Sequence, residues 1–147
     1  MRSTKLVWLS VFMVWIWSCV SFKIAIPDEP ELVVDYTAIL KEIDKTKDFT
    51  VKIESEAIQA SDRAVFALIK VLTVSKPAVV QWSWYDPQGN LAKKSQTIEV
   101  NAQKKYLEYF VAWDVMLNSH FKDLKGKWTV AITVNGLYLT KIEFQVN

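Results

Sequence analysis

The sequence predicts an all-β chain: a single antiparallel β-sandwich of seven or eight strands following an N-terminal signal or anchor segment. Three observations carry this. The chain has 147 residues, 51% of them apolar, which suits one core rather than two. From Val33 onward apolar and polar residues alternate with the period of a strand. Turn-forming Gly, Pro, Asn and Asp cluster between these runs at roughly 10–15-residue spacing. A closed barrel is the alternative architecture.

The first segment reads as an address rather than part of the fold. Arg2 and Lys5 precede twelve uncharged residues, Leu6 to Trp17, the length of a secretory apolar core and short for a membrane span. Ile16-Trp17-Ser18-Cys19 resembles the lipobox of bacterial lipoproteins, in which the Cys becomes the lipidated N-terminus. Three readings stay open: a lipoprotein signal over residues 1–18 with Cys19 as the lipidation site, an ordinary signal cut after Ser21, or an uncleaved anchor over Leu6 to Ile26. A tether over residues 19–31, containing Pro27 to Pro30, then leads into the sandwich domain, 32–147. Removing residues 1–18 leaves 16 basic and 16 acidic residues, so the excess of positive charge belongs to the leader. On that balance no nucleic-acid partner is expected.

Within the domain, Val33 to Leu40 is a strand by its Val, Tyr, Thr and Ile content, with a helix as the competing reading. Phe49, Val51 and Ile53 alternate as a one-faced strand. Val65 to Val74 is apolar on both faces apart from Lys70 and reads as a covered strand. Val80, Trp82 and Trp84 alternate into the turn Asp86-Pro87-Gln88-Gly89-Asn90. Leu91 to Val100 returns as a more polar edge strand. Leu107, Tyr109, Val111 and Trp113 form the inward face of the next, and residues 114–125 are irregular or hold one helical turn capped by Ser119. Trp128, Val130, Ile132 and Val134 alternate into Asn135-Gly136, a hairpin turn signal. Tyr138, Ile142, Phe144 and Val146 close the chain. By alternation Trp82, Trp84, Trp113 and Trp128 all point inward.

Two stretches carry a family resemblance. Trp82 to Leu91 (WSWYDPQGNL) resembles the "W-x-D-P-x-G-x-L" hairpin of immunoglobulin-like modules in exported bacterial proteins. Gly126-Lys127-Trp128-Thr129-Val130, Asn135-Gly136 and Phe144-Gln145-Val146 are similar to their closing hairpin. The resemblance implies an immunoglobulin-like, or fibronectin-III-like, sandwich and no activity. It also implies that Trp82, Trp84 and Trp128 fill the core without the inter-sheet disulfide of antibody domains.

Chemistry-bearing residues are sparse. His120 is the only histidine and Cys19 the only cysteine, so an all-protein zinc site is not expected. His120 sits beside Ser119, but adjacency in sequence does not make a dyad. Glu54 and Glu56 lie on one strand face and would not flank a substrate. No phosphate-binding glycine loop is present. No catalytic, cofactor-binding or metal residues are therefore expected, and no cofactor or small-molecule ligand. Tyr85, Tyr106 and Phe110 fall on the faces opposite the expected core and form a candidate binding patch. The expected function is that of a non-enzymatic cell-envelope lipoprotein, exported and membrane-tethered. It would bind or scaffold an envelope protein and touch the membrane through its N-terminus. The alternative is a secreted carbohydrate-binding sandwich using exposed aromatics.

Overall fold

The computed structural model describes residues 32–46, 48–101 and 109–147. They fold as eight strands and one helical turn: β1 Leu32–Leu40, β2 Ala64–Val74, β3 Ala78–Tyr85, β4 Leu91–Lys94, β5 Ile98–Val100, β6 Phe110–Leu117, α1 Asn118–Phe121, β7 Gly126–Val134 and β8 Leu137–Val146. One sheet has the order β1-β2-β6. The other runs β4-β3-β7-β8, with β5 also paired to β3. The named strands pair antiparallel throughout. This is the sandwich that the alternation predicts, with two open-edged sheets rather than a closed barrel.

The space between the sheets is filled by Trp82, Trp84 and Trp128, all fully buried. The ring of Phe144 stacks on Trp128 at 6.4 Å and meets Trp84 edge-on at 6.2 Å, both favourable aromatic geometries. Around them lie Val65, Ala67 and Ile69 of β2 and Val130, Ile132, Ile142 and Val146 of β7 and β8. The Trp128 indole N–H donates to the Leu124 carbonyl at 2.8 Å, so that large side chain enters the core with its polar atom satisfied. Asn135 at φ 51° and Gly136 at φ 79° make the tight turn between β7 and β8, as the Asn-Gly pair predicts. Gly126 starts β7 at φ 130°, where a Cβ would stand 3.0 Å from Pro87. The Asp86–Asn90 turn thus packs directly on the root of β7.

Several expectations are corrected. Residues 49–53 form no strand. Asp44 accepts the Thr46 N–H at 2.9 Å and Asp48 accepts the Thr50 N–H at 2.8 Å, two local turns that curl the chain out of an extended path. Residues 41–46 and 48–57 become a strap across the outer face of the three-stranded sheet. Ile43, Phe49 and Ile53 pack there on Tyr36, Ala38, Leu40 and Leu68.

This strap explains a second correction. Phe110, Ala112 and Met116 belong to the inner core, whereas Val111 and Trp113 pack under the strap. The expected inward row through Val111 and Trp113 therefore points outward, and only three of the four tryptophans are inner. A sheet covered on both faces is apolar at both parities, so alternation cannot say which face is which.

The expected strand 91–100 is broken at Ser95–Thr97, because the Ser95 hydroxyl accepts the Trp82 N–H at 3.0 Å where a ladder carbonyl would stand. Strand β6 runs on to Leu117, and α1 has no side-chain cap, so Ser119 does not serve as one.

Candidate functional site

Among the described residues, one side of the sandwich is left open. Strand β6 is an edge strand, paired only to β2 among the described residues. The Asn118 N–H donates to the Arg63 carbonyl at 2.9 Å, which sets the register: even-numbered residues of β6 bond to β2 and odd-numbered ones face outward. The peptide groups of Val111 and Trp113 therefore face away from β2 and pair with no other described strand. The Val115 carbonyl, next in that row, accepts from the Lys93 ammonium, which reaches across from β4.

Lys93 also pairs with Asp114 at 2.6 Å, and the same carboxylate oxygen accepts the Trp84 indole N–H at 2.7 Å. This network joins the two sheets at the middle of the open side. It holds a core tryptophan, an inward acid and a lysine whose charge would otherwise be poorly solvated. Beside it runs a cleft of about 430 Å³ lined by Lys93, Lys94, Ser95, Gln96, Thr97, Ile98 and Asp114. An apolar notch lined by Ile98, Phe110, Val111, Ala112 and Trp113 continues it along β6. The arrangement offers main-chain donors and acceptors, a polar flank and a seat for an apolar side chain. Those are the parts needed to accept an extended peptide as an added strand.

Of the sequence-derived patch, the two described members, Tyr85 and Phe110, are not brought together. Tyr85 is half-buried at the end of β3, in the five-stranded sheet. Phe110 is half-buried at the start of β6, in the other sheet, and packs against the inner core. Tyr106 lies outside the described residues, as does Cys19. His120 and Ser119 are exposed on α1. Among the described residues no group of His, Cys, Asp and Glu is arranged to hold a metal ion, and no helix is long and apolar enough to cross a membrane.

Sequence reasoning missed two charged groups. One is Lys93–Asp114, whose only signal was an acid in an otherwise apolar strand. The other is Lys70, the single charge in the β2 run. Its ammonium lies under the strap, 2.8 Å from Asp35 and 3.3 Å from the Thr50 carbonyl, with the Tyr109 ring at 4.7 Å and the Tyr36 ring at 5.4 Å. Burial pushes the Tyr36 hydroxyl above its ordinary pKa, against the pull of Lys70. The Tyr36 hydroxyl donates to the Val51 carbonyl at 3.3 Å. These partners all belong to the strap or to the sheet beneath it, so the group serves as a pin for the strap.

No family model matches the sequence, and no curated protein does. Among solved structures the fold is similar to part of an alkylpurine DNA glycosylase, AlkC, of Pseudomonas fluorescens, solved bound to DNA containing an abasic site analogue. The match has a TM-score of 0.52 and 13% identity, and covers 80% of this chain. The chain spans 30% of the length of that solved chain.

The finding corrects three expectations. The family reading drawn from the two hairpins, an immunoglobulin-like module of exported bacterial proteins, is overturned, because the fold matches part of a DNA-repair enzyme. The D-P-x-G and N-G stretches report turn chemistry that any antiparallel sandwich can use, and so do not identify a family. The exclusion of nucleic acid falls with it, since the matching chain is a DNA-bound one and a balanced overall charge does not forbid a local phosphate contact. The expected envelope protein partner is dropped as well. What the likeness establishes for this chain is a β-sandwich fold.

Proposed function

We propose that the chain is a non-enzymatic binding module, carried as a membrane-tethered lipoprotein through Cys19, that takes up an extended segment of another protein along β6. The observation that supports this most is the edge at Val111 and Trp113, unpaired among the described residues and lying beside an apolar notch and a polar cleft. Strand addition draws affinity from main-chain hydrogen bonds and specificity from the adjoining pocket.

The test uses proline as a probe of the edge. The Val111 N–H faces away from β2, so Val111→Pro keeps the ladder while removing the donor an added strand needs. Cross-linked adducts formed by the tethered protein in its host should disappear in this variant while its unfolding midpoint stays close to that of the wild type. Adducts that persist in a folded Val111→Pro protein would end the strand-addition reading. The tether is tested separately, by the intact mass of membrane-extracted protein beside Cys19→Ala. A diacylated chain beginning at residue 19, lost in the variant, is the expected result.

The DNA-bound structural neighbour favours a second reading, a module that contacts nucleic acid. Fluorescence anisotropy with duplex DNA at two salt concentrations separates the two: binding with a steep salt dependence would replace the tethered reading. The carbohydrate alternative gains no support from geometry, since Tyr85 and Phe110 are half-buried on different sheets and form no stacking platform.

A further inference from the structure

The two ends of the sandwich differ in what they expose. At one end lie the start of β1, the β2–β3 turn and the β7–β8 turn. Leu32 pairs with Val74 there. The Asn135 N–H donates to the Val79 carbonyl at 2.8 Å, and the Asn135 side chain accepts the Val79 N–H at 2.9 Å, so the hairpin tip is fixed to the start of β3. Immediately after the turn, Leu137 is 75% exposed and Tyr138 66%. With Leu32, Val134 and Leu139 they border an apolar notch of about 170 Å³. Lys76, in the β2–β3 turn, is exposed at the same end. The far end carries the Asp86–Asn90 turn, α1 and Asn147, a surface that is mostly polar.

The chain enters the domain at Leu32, one of the residues that border the notch. Whatever holds residues 1–31 therefore holds this end. Twelve residues lie between Cys19 and Leu32, a reach of at most about 45 Å when fully extended. A rigid turn presenting a Leu and a Tyr, beside a lysine, matches an interfacial anchor: the aliphatic side chain enters the acyl region, the ring sits at the headgroups, and the cation favours anionic lipid. Such a tip is too small to hold a free protein to a membrane. On a short tether its effective concentration at the surface is high, and a weak contact suffices to orient the domain.

We propose that the Leu137–Tyr138 tip seats in the lipid surface to which the chain is tethered. The domain is then fixed upright, with β6 beginning near the seated end, where Phe110 pairs with Val71, and running away from the bilayer with its outer edge facing sideways. This rests on the tethered reading above and adds an orientation to it.

The test is spin-label accessibility on the full chain, inserted in preformed vesicles of phosphatidylcholine with one-fifth phosphatidylglycerol. The label is placed at Leu137→Cys or at Lys125→Cys on the opposite end, with the unsubstituted chain as background for Cys19. The expected result is a ratio of oxygen to nickel-complex collisions above unity at 137 and below unity at 125. Adding Tyr138→Asp should lower the ratio at 137 to the level at 125. A low ratio at 137 in vesicles that carry the chain would place the tip in water and overturn the proposal while leaving the tether intact. Low accessibility to both reagents at 137 would mean that another part of the chain, or a second copy, covers the tip, and would also overturn it. A chain that fails to float with the vesicles overturns the tether, and the proposal with it.

Discussion

The two faces of the three-stranded sheet are covered by different means. The inner face meets another sheet, and its contacts are large, dry and regular: three tryptophans, a phenylalanine and a palisade of β-branched side chains, held in register by strand ladders. The outer face is covered by an irregular strap, which among the described residues presents Ile43, Phe49 and Ile53 and is held by a few isolated bonds with Tyr36, Lys70 and Ile39. The first interface makes the fold. The second is an attachment to it, and regions with few buried contacts and few ladder bonds open at lower cost than the global unfolding free energy.

Truncating the inner interface should have the largest effect. Trp128→Ala removes a fully buried indole of the inner core, and is expected to destabilise by about 3–5 kcal/mol in urea unfolding. A loss below about 2 kcal/mol would mean that the two interfaces are more alike than they look.

The pin under the strap gives the next test, and it is asymmetric. The Lys70 side chain is 4% exposed and that of Asp35 is 35% exposed. Asp35→Ala leaves a buried cation without its ionic partner and should cost about 2–3 kcal/mol, whereas Lys70→Met leaves an acid that water can reach and should fall within about 1 kcal/mol of wild type. Equal costs for the two would show that the strap is not packed as tightly over Lys70 as its burial implies.

Phe49→Ala is smaller again, about 1–2 kcal/mol for a half-buried ring. Its signature is spatial: amide exchange should quicken across residues 42–57 and stay slow in β2 and β7. Uniform quickening would make strap and sandwich one cooperative unit.

The smallest effect lies outside both interfaces, on the exposed face of β8. Glu143 accepts from Lys127 at 2.6 Å and Lys141 at 2.8 Å, which lowers its pKa from 4.5 to about 2. Because the folded value is the lower one, its contribution to stability is present above the ordinary glutamate range and is lost as the pH falls toward 2. Carboxylate titration by NMR should show Lys127→Met moving the Glu143 midpoint upward.

The same contrast sets what the sequence could reveal. The inner interface announced itself through alternation at Trp82, Trp84, Trp128, Val130 and Ile132 and through turn residues at Asp86–Asn90 and Asn135-Gly136, all of which the structure uses as expected. The strap did not, because Phe49, Val51 and Ile53 alternate like a strand and only the Asp-x-Thr turns at Asp44 and Asp48 mark the difference. Covering the outer face then made β6 apolar at both parities, which hid the true side of Phe110 and Trp113. The open edge of β6 was equally hidden, since pairing between distant strands leaves no local pattern. The Lys93–Asp114 bridge is likewise a contact between strands on opposite sheets.

A last consequence follows from the irregular pairing of β1 with β2. Register shifts between Val33 and Tyr36 turn the strand over, so that Leu32 and Val34 face the inner core while Tyr36, Ala38 and Leu40 face the strap. A force applied along the chain ahead of Leu32 pulls on β1 lengthwise, in shear against β2, the geometry in which ladder bonds share a load. The shifted stretch lies at the loaded end, where the pairing is irregular. Slack would therefore be released there first, letting the opening residues of β1 lengthen by a few ångströms while the strand beyond Tyr36 keeps its grip. In mechanical terms, the fold has a shock absorber at the root of its own leash.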